Sequence, residues 1–160
     1  MDYAVREAGP DDGPDLLALW HGFTERLSAF DERYRHKESA DERWLSYFES
    51  QLVDSKYGVV FVAESDSEIL GVLEARVMGN HPIFRLENHG YVNGLYVRDA
   101  EQREAIGGAL LDAAHDWFTS APRAVDFYRV DVIDGDEEMA EFFADAGFSA
   151  VEHVYERRDD

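Results

Sequence analysis

The sequence predicts a mixed α/β fold: a single, mostly antiparallel sheet flanked by helices, with one central parallel βαβ unit. Three observations predict it. Hydrophobic spacing switches repeatedly between the two-residue period of strands and the period of about 3.6 of helices, so the two element types are interleaved on one sheet. Strand-like segments at 57–63 and 69–78 are separated only by the turn sequence ESDSE, the mark of a hairpin. Residues 91–97, 104–119 and 125–133 read as strand, helix and strand, and strands joined through a helix run parallel with a right-handed crossover.

Residues 3–8 alternate enough for a first strand. Asp12-Gly13-Pro14 ends it, and Pro14 suits the first position of a helix whose apolar face is Leu16, Trp20, Phe23, Leu27 and Phe30. The polar stretch DERYRHKESA leads to Ser39 and Glu42 at capping-box spacing, after which Trp44, Leu45, Phe48 and Leu52 mark a second helix. Beyond the hairpin, a loop containing Pro82 brings the chain to the strand YVNGLYV. Ile106, Leu110, Ala113 and Trp117 set the face of the next helix. After the strand at 125–133, DEEMAEFFADAG forms a helix closed by Gly147, and FSAVEHVYER forms a last strand whose edge could serve a homodimer. No repeat, low-complexity tract or Pro/Gly/Ser-rich linker interrupts the chain, so residues 1–160 are expected to form one domain.

A chain of 160 residues that is 45% hydrophobic and 13% aromatic has ample material for a core. Thirty-five acidic residues against fifteen basic ones give a net charge of -20. Such a surface repels phosphate backbones and anionic lipids, which argues against nucleic-acid and membrane partners. The acids are dispersed and the only lysines are Lys37 and Lys56. That pattern reads as adaptation to concentrated salt, where screening offsets self-repulsion, rather than as steering of a cationic substrate. The lack of cysteine excludes disulfides, thiolate metal ligands and a cysteine nucleophile, and fits a reducing compartment. The N-terminal MDYAVREAGPDD has no signal-peptide features, so a cytoplasmic location is expected. His21, His36, His81, His115 and His153 show no ligand spacing of the HExxH kind, so no metal is expected.

The stretch QREAIGGALLDAA, residues 102–114, places two glycines near a helix start, where each costs about 1 kcal/mol against alanine. The turn before it lies at the carboxyl end of a parallel strand. Open α/β sheets bind ligands there, and the unpaired amides and positive dipole end of the helix form an anion site. Gly107 and Gly108 have no side chains to keep a diphosphate away. No Gly-Lys-Ser/Thr follows, as a P-loop needs, and no G-x-G-x-x-G follows the strand.

The run Gln102, Arg103, Glu104, Ala105, Ile106, Gly107, Gly108, Ala109 instead resembles the Q/R-x-x-G-x-G/A signature of GNAT-type N-acetyltransferases. Leu95-Tyr96-Val97-Arg98 is similar to the strand whose splayed backbone, in that family, holds the pantetheine arm of acetyl-CoA. Asp136, Phe142-Phe143 and Gly147-Phe148 stand where the family commonly has Asn, an aliphatic-Tyr pair and Gly-Phe. The likeness covers most of the chain and is strongest over 57–148. It implies an acyl-CoA N-acyltransferase fold, acetyl-CoA as co-substrate, and a small-molecule or peptide amine as acceptor. It also implies a cofactor site built from Leu95, Tyr96, Val97, Gln102, Arg103, Ala105, Ile106, Gly107, Gly108, Ala109, Asp136 and Phe143, with a backbone N–H near 95–97 as the oxyanion donor.

Two positions depart from the pattern. Ala105 stands in place of the first signature glycine, and Phe143 in place of the tyrosine that protonates the departing thiolate in many members. Phenylalanine has no proton to give, so water, Tyr128 or Tyr155 would serve, or the thiolate leaves unaided. For the proton acceptor, strand parity puts Tyr91, Asn93 and Leu95 on one face with His89 just before them, which makes His89 and Asn93 the catalytic candidates. Turn and edge polarity account for the same two residues without catalysis. Asp31, Arg33, Tyr34 and the loop at 82–84 would border the acceptor cleft. Two rivals stay open: a catalytically silent acyl-CoA-binding module, which Phe143 favours, and a nucleotide-binding regulatory domain.

Overall fold

In the computed structural model, which describes residues 2–53 and 55–159, five strands make one sheet in sequence order. They are β1 (Ala4–Glu7), β2 (Gly58–Ser65), β3 (Glu68–Met78), β4 (His89–Val97) and β5 (Tyr128–Val130). Four helices flank them: α1 (Gly13–Ser28), α2 (Asp41–Tyr47), α3 (Arg103–Thr119) and α4 (Glu137–Asp145). The first three strand junctions are antiparallel, and β4 and β5, joined through α3, are parallel, as expected. Among the described residues no helix is long and apolar enough to cross a membrane.

The uniform apolarity of GVVFVA follows from burial on both faces. Val59 and Phe61 join a core beneath α3, with Leu73, Ala75, Val92, Leu95, Ile106, Leu110 and Phe118. Val60 and Val62 join a second core with Leu16 and Leu19 of α1 and Phe48 and Leu52 beyond α2. The β2–β3 hairpin turns through Asp66 and Ser67, both at positive φ, the twist a tight two-residue hairpin turn needs. α4 closes on Gly147 at φ +98°, with the Phe148 amide returning to the Phe143 carbonyl at 3.0 Å.

Several expectations are corrected. The second helix ends at Tyr47 and passes into a π turn over Phe48–Leu52. Its N-cap is Ala40, with no side-chain bond, so the Ser39/Glu42 capping box does not form. The strand expected at 125–133 shrinks to three residues, and FSAVEHVYER forms no strand. A strand of three residues offers too short an edge to pair a ten-residue partner. The tail is held instead by ion pairs, Arg129 to Glu152 at 3.3 Å and Arg33 to Glu156 at 2.9 Å, with Val151, Val154 and Tyr155 exposed.

Candidate active site

The site is created by an irregularity in β4. Across from β3, Gly94 pairs with Glu74 and Val92 pairs with Ala75, so Asn93 is an extra residue without a partner, a β-bulge. The bulge overturns the parity expectation. Val92, Leu95 and Val97 all face the α3 core, whereas Gly94 abuts Phe23 and Trp20 of α1, and Tyr91, next to Val92, takes the opposite side from Leu95. On its other edge β4 pairs with β5 only through Gly90, Tyr91 and Val92. Beyond Val92 the two chains diverge, and the backbone of residues 93–97 has no strand partner on that side among the described residues.

A cleft open to solvent occupies the divergence. Asn93, Gly94 and Leu95 form one wall, residues 130–133 the other, and Phe23, Arg26, Asp136, Met139 and Phe143 complete it. Asp136 is buried, caps α4 by accepting from the Met139 amide at 3.2 Å, and accepts two hydrogen bonds from Arg26 at 2.8 and 3.2 Å. The pair ties α1 to the start of α4 across the cleft. Phe143 is buried and packs edge-on against Phe142 and Phe148.

A second, narrow aromatic slot adjoins the cleft, sharing Phe23, Gly94 and Leu95 with it. Leu16, Trp20, Trp44, Val60, Val72 and Tyr96 form its walls, and Glu74 is the one charged residue among them. Glu74 is buried, accepts the Tyr47 hydroxyl at 2.8 Å, and is hydrogen-bonded by the Asn93 side chain. Burial pushes its carboxyl above the usual carboxylate range, and the bond from Tyr47, the Arg76 charge and the bond from Asn93 only partly offset this. Trp44 Nε1 and Arg76 Nε are buried and have no hydrogen-bond partner among the described residues.

The start of α3 provides the third part. Gln102 gives no side-chain cap. The Arg103 amide bonds back to the Ala100 carbonyl, and the amides of Glu104 and Ala105 follow in the first turn, where a helix has no acceptor of its own for them. Gly107 and Gly108 are the fifth and sixth residues of α3, one turn in from its entrance. They differ from each other. A Cβ at Gly107 would come within 2.8 Å of Phe142 Cζ, so that glycine admits α4; at Gly108 a Cβ would meet nothing within 4 Å. Arg103 is held by Glu138 at 2.9 Å. Ile106 is in the core, and Ala105 is exposed, its carbonyl accepting the Tyr3 hydroxyl at 3.2 Å.

Thus the structure gathers Asn93, Leu95, Asp136 and Phe143 at one cleft, with the α3 start as a separate patch at the far end of β4. It does not bring His89 there. That ring is buried at the first residue of β4, stacked 5.1 Å from Phe127, with Nδ1 2.9 Å from the Glu87 carbonyl. Tyr128 shares a hydrogen bond of 3.0 Å with His115, Tyr155 is 90% exposed, and no tyrosine lines the cleft. Asp31, Arg33, Tyr34 and the loop at 82–84 line neither cavity. Sequence reasoning missed Glu74, whose signal was a lone acid inside the apolar run ILGVLEARVM, and the Arg26 partner of Asp136.

The family model described as the Acetyltransferase (GNAT) family matches residues 20–148. The chain belongs to that family. Among solved structures, the GNAT chain superposes on a tetramutant of the BH1408 protein from Bacillus halodurans with a TM-score of 0.80 at 18% identity, over 97% of this chain and 99% of that one. Aminoglycoside 6'-N-acetyltransferase AAC(6')-Ih from Acinetobacter baumannii gives 0.75 at 16% identity over 99% of both chains. Aminoglycoside N-acetyltransferase AAC(6')-Iy in complex with CoA gives 0.75 at 14% identity, over 99% and 95%. At such identities the likeness is one of fold. No curated protein matches this GNAT sequence.

Proposed function

We propose that the chain is an acetyl-CoA-dependent N-acetyltransferase that moves an acetyl group directly to a primary amine of a small molecule or peptide, with residues 1–160 acting as one domain. The observation that carries this reading is Glu74, a buried carboxyl in an apolar slot that meets the β4 cleft at Gly94 and Leu95.

The structure fits acetyl-CoA on two counts: the first turn of α3 lacks a side-chain cap beside the open face of Gly108, and the β5-side edge of β4 has no strand partner beyond Val92 among the described residues. Bound there, acetyl-CoA supplies an activated acetyl thioester. The Glu104 and Ala105 amides and the helix dipole receive the diphosphate. The edge of residues 95–97 offers backbone donors and acceptors to the pantetheine amides. An amide at or after the bulge donates to the oxygen on which negative charge builds, in a site that the surrounding aromatics keep dry.

The acceptor lies in the cleft and presents its amine to the mouth of the slot. Trp20, Phe23, Trp44 and Tyr96 exclude water and Glu74 attracts the ammonium form. Glu74 takes the ammonium proton, because its raised pKa brings it closer to the amine than an exposed carboxylate would be, and Asn93 holds it at the bulge. Phe143 offers no proton to the leaving thiolate, which, as the anion of a thiol with a pKa of about 8.5, departs without one; the second proton, shed by the nitrogen after it attacks, passes to water or to the departed thiolate. The acidic surface acts as an adaptation to salt, and the exposed tail residues Val151, Val154 and Tyr155 provide a contact for a homodimer in the cytoplasm.

Release of CoA thiol on adding a panel of primary amines to protein and acetyl-CoA, in molar salt, tests this. The expected result is amine-dependent release that Glu74→Gln reduces. Calorimetric binding of acetyl-CoA with no turnover on any amine favours the silent module instead, the reading that Phe143 supports.

A further inference from the structure

The α1–α2 region holds a side-chain cluster that acetyl transfer does not use. His21 lies in the middle of α1, His36 in the link that follows, and Asp41 is the first residue of α2. His21 Nε2 and His36 Nε2 approach the same oxygen, Asp41 Oδ1, at 3.0 and 2.9 Å. The donor atoms all lie within 4.8 Å of one another, and the two imidazole centroids are 4.4 Å apart. The His36 side chain is only 7% exposed, whereas His21 at 44% and Asp41 at 45% open the cluster to solvent.

From this convergence we propose that His21, His36 and Asp41 bind a divalent transition-metal cation, of the zinc, cobalt or nickel class. Two imidazoles and a carboxylate give three protein ligands and leave a position for water, a donor set that suits zinc. Imidazole nitrogen selects these ions over magnesium and calcium, which prefer oxygen alone. Bonds of about 2.0–2.2 Å to such an ion in tetrahedral geometry require ligand atoms a little over 3 Å apart, so the two N···O separations need a small outward adjustment, and the two nitrogens already lie within 4.8 Å of each other. Without a cation, both rings must donate to one carboxylate oxygen.

The burial of His36 gives the site a fixed wall, and its three ligands come from three successive elements. A cation there pins α1 to α2. Those helices carry Trp20 and Trp44, which face each other at 5.9 Å in the slot wall, so the metal would stiffen the slot without touching the reacting atoms. His21 and His36 are separated by the end of a helix and an irregular link, which is why no ligand motif appears in the sequence.

Chelator-treated full-length protein titrated with cobalt(II), in molar sodium chloride with millimolar magnesium to saturate the acidic surface, tests the proposal. The expected result is visible cobalt absorption that saturates at one equivalent, is displaced by zinc, and is accompanied by a rise in the unfolding midpoint of roughly 5–10 °C at a hundredfold excess over Kd. His21→Ala, at an exposed position that leaves the fold intact, weakens binding at least tenfold, and the control His153→Ala leaves it unchanged. Absence of saturation at one equivalent, or a loss smaller than tenfold in His21→Ala, overturns the site and leaves the cluster as hydrogen bonds around Asp41. Because the readout is metal binding, its failure leaves the acetyltransferase reading untouched.

Discussion

The Tyr47 hydroxyl donates to Glu74 Oε1 across 2.8 Å, joining the end of α2 to the middle of β3 behind the slot wall. Each group changes the other's proton affinity. Burial and then the Glu74 charge push Tyr47 up to about 12, so it stays a donor at any working pH. Glu74 is the group that can move a proton.

The acidic limb of the pH–rate profile should therefore lie above the usual carboxylate range. A carboxyl whose pKa is raised on folding adds stability while protonated, and that contribution is lost as pH rises through its folded-state value. Activity should run the opposite way, rising as Glu74 ionises. Glu74→Gln should lower kcat/KM by about 10²–10⁴-fold, flatten the acidic limb, and leave the unfolding midpoint at neutral pH unchanged or higher, because no buried charge remains. Rate profiles and thermal melts of the two proteins check all three.

The two glycines of α3 should separate packing from ligand binding. Gly107→Ala drives a methyl to 2.8 Å from Phe142 Cζ and should cost about 1–3 kcal/mol, less the roughly 1 kcal/mol that alanine gains in a helix. Gly108→Ala meets nothing within 4 Å and should stabilise the ligand-free protein by up to about 1 kcal/mol. Gly108→Glu should fold normally yet weaken acetyl-CoA binding by about tenfold or more, through repulsion at the diphosphate, a change near 1.4 kcal/mol. Denaturant titration measures the first two variants and calorimetry the third.

Asp136 does two jobs from a side chain only 4% exposed, bridging Arg26 and capping α4. Asp136→Ala removes the cap and leaves the 27% exposed Arg26 guanidinium with only the more distant Glu138, so a loss of about 2–3 kcal/mol is expected. Asp136→Asn keeps a capping oxygen and loses only the charge, for about 1–2 kcal/mol. Equal losses from the two substitutions in chemical denaturation would show that the charge alone matters.

The periodicity of β2, β3 and α3 was legible because each buries a regular face, and a βαβ unit then fixes the parallel pair. The bulge at Asn93 was not: one inserted residue leaves the strand just as apolar while reversing which face Leu95 takes. Gly107 and Gly108 look alike in sequence and differ only because Phe142, far along the chain, packs against one of them. The last strand failed for a related reason. Its alternation is real, but the partner it needs is three residues long, which no local pattern reveals.

Arg103 is paired at the α3 entrance with Glu138, which is 73% exposed and also lies 3.9 Å from Arg26. An exposed pair of this kind contributes about 0.2–1 kcal/mol. Glu138→Gln should therefore leave stability within about 0.5 kcal/mol. It also releases Arg103 toward the diphosphate and removes a nearby negative charge, so acetyl-CoA affinity should tighten about two- to fivefold at low salt. The gain should shrink as salt is added, and calorimetry at two ionic strengths reads both effects.

Salt should stabilise the whole chain. Arg6 bridges Asp12 and Glu64 at 2.8 and 2.9 Å, and Arg33 bridges Asp31 and Glu156 at 2.7 and 2.9 Å. Screening weakens such pairs, but each contributes little at the surface. Even with every basic residue matched to one acid, the net charge of -20 leaves twenty acids uncompensated. Their mutual repulsion reaches across about 10 Å at 0.1 M salt and only about 3 Å at 1 M, so screening removes more repulsion than attraction. The unfolding midpoint should rise steadily from 0.1 to 1 M sodium chloride, most steeply at the low end. A midpoint that stays flat or falls over that range would show that the acids are already spaced widely enough not to oppose folding, and salt adaptation would no longer explain the composition.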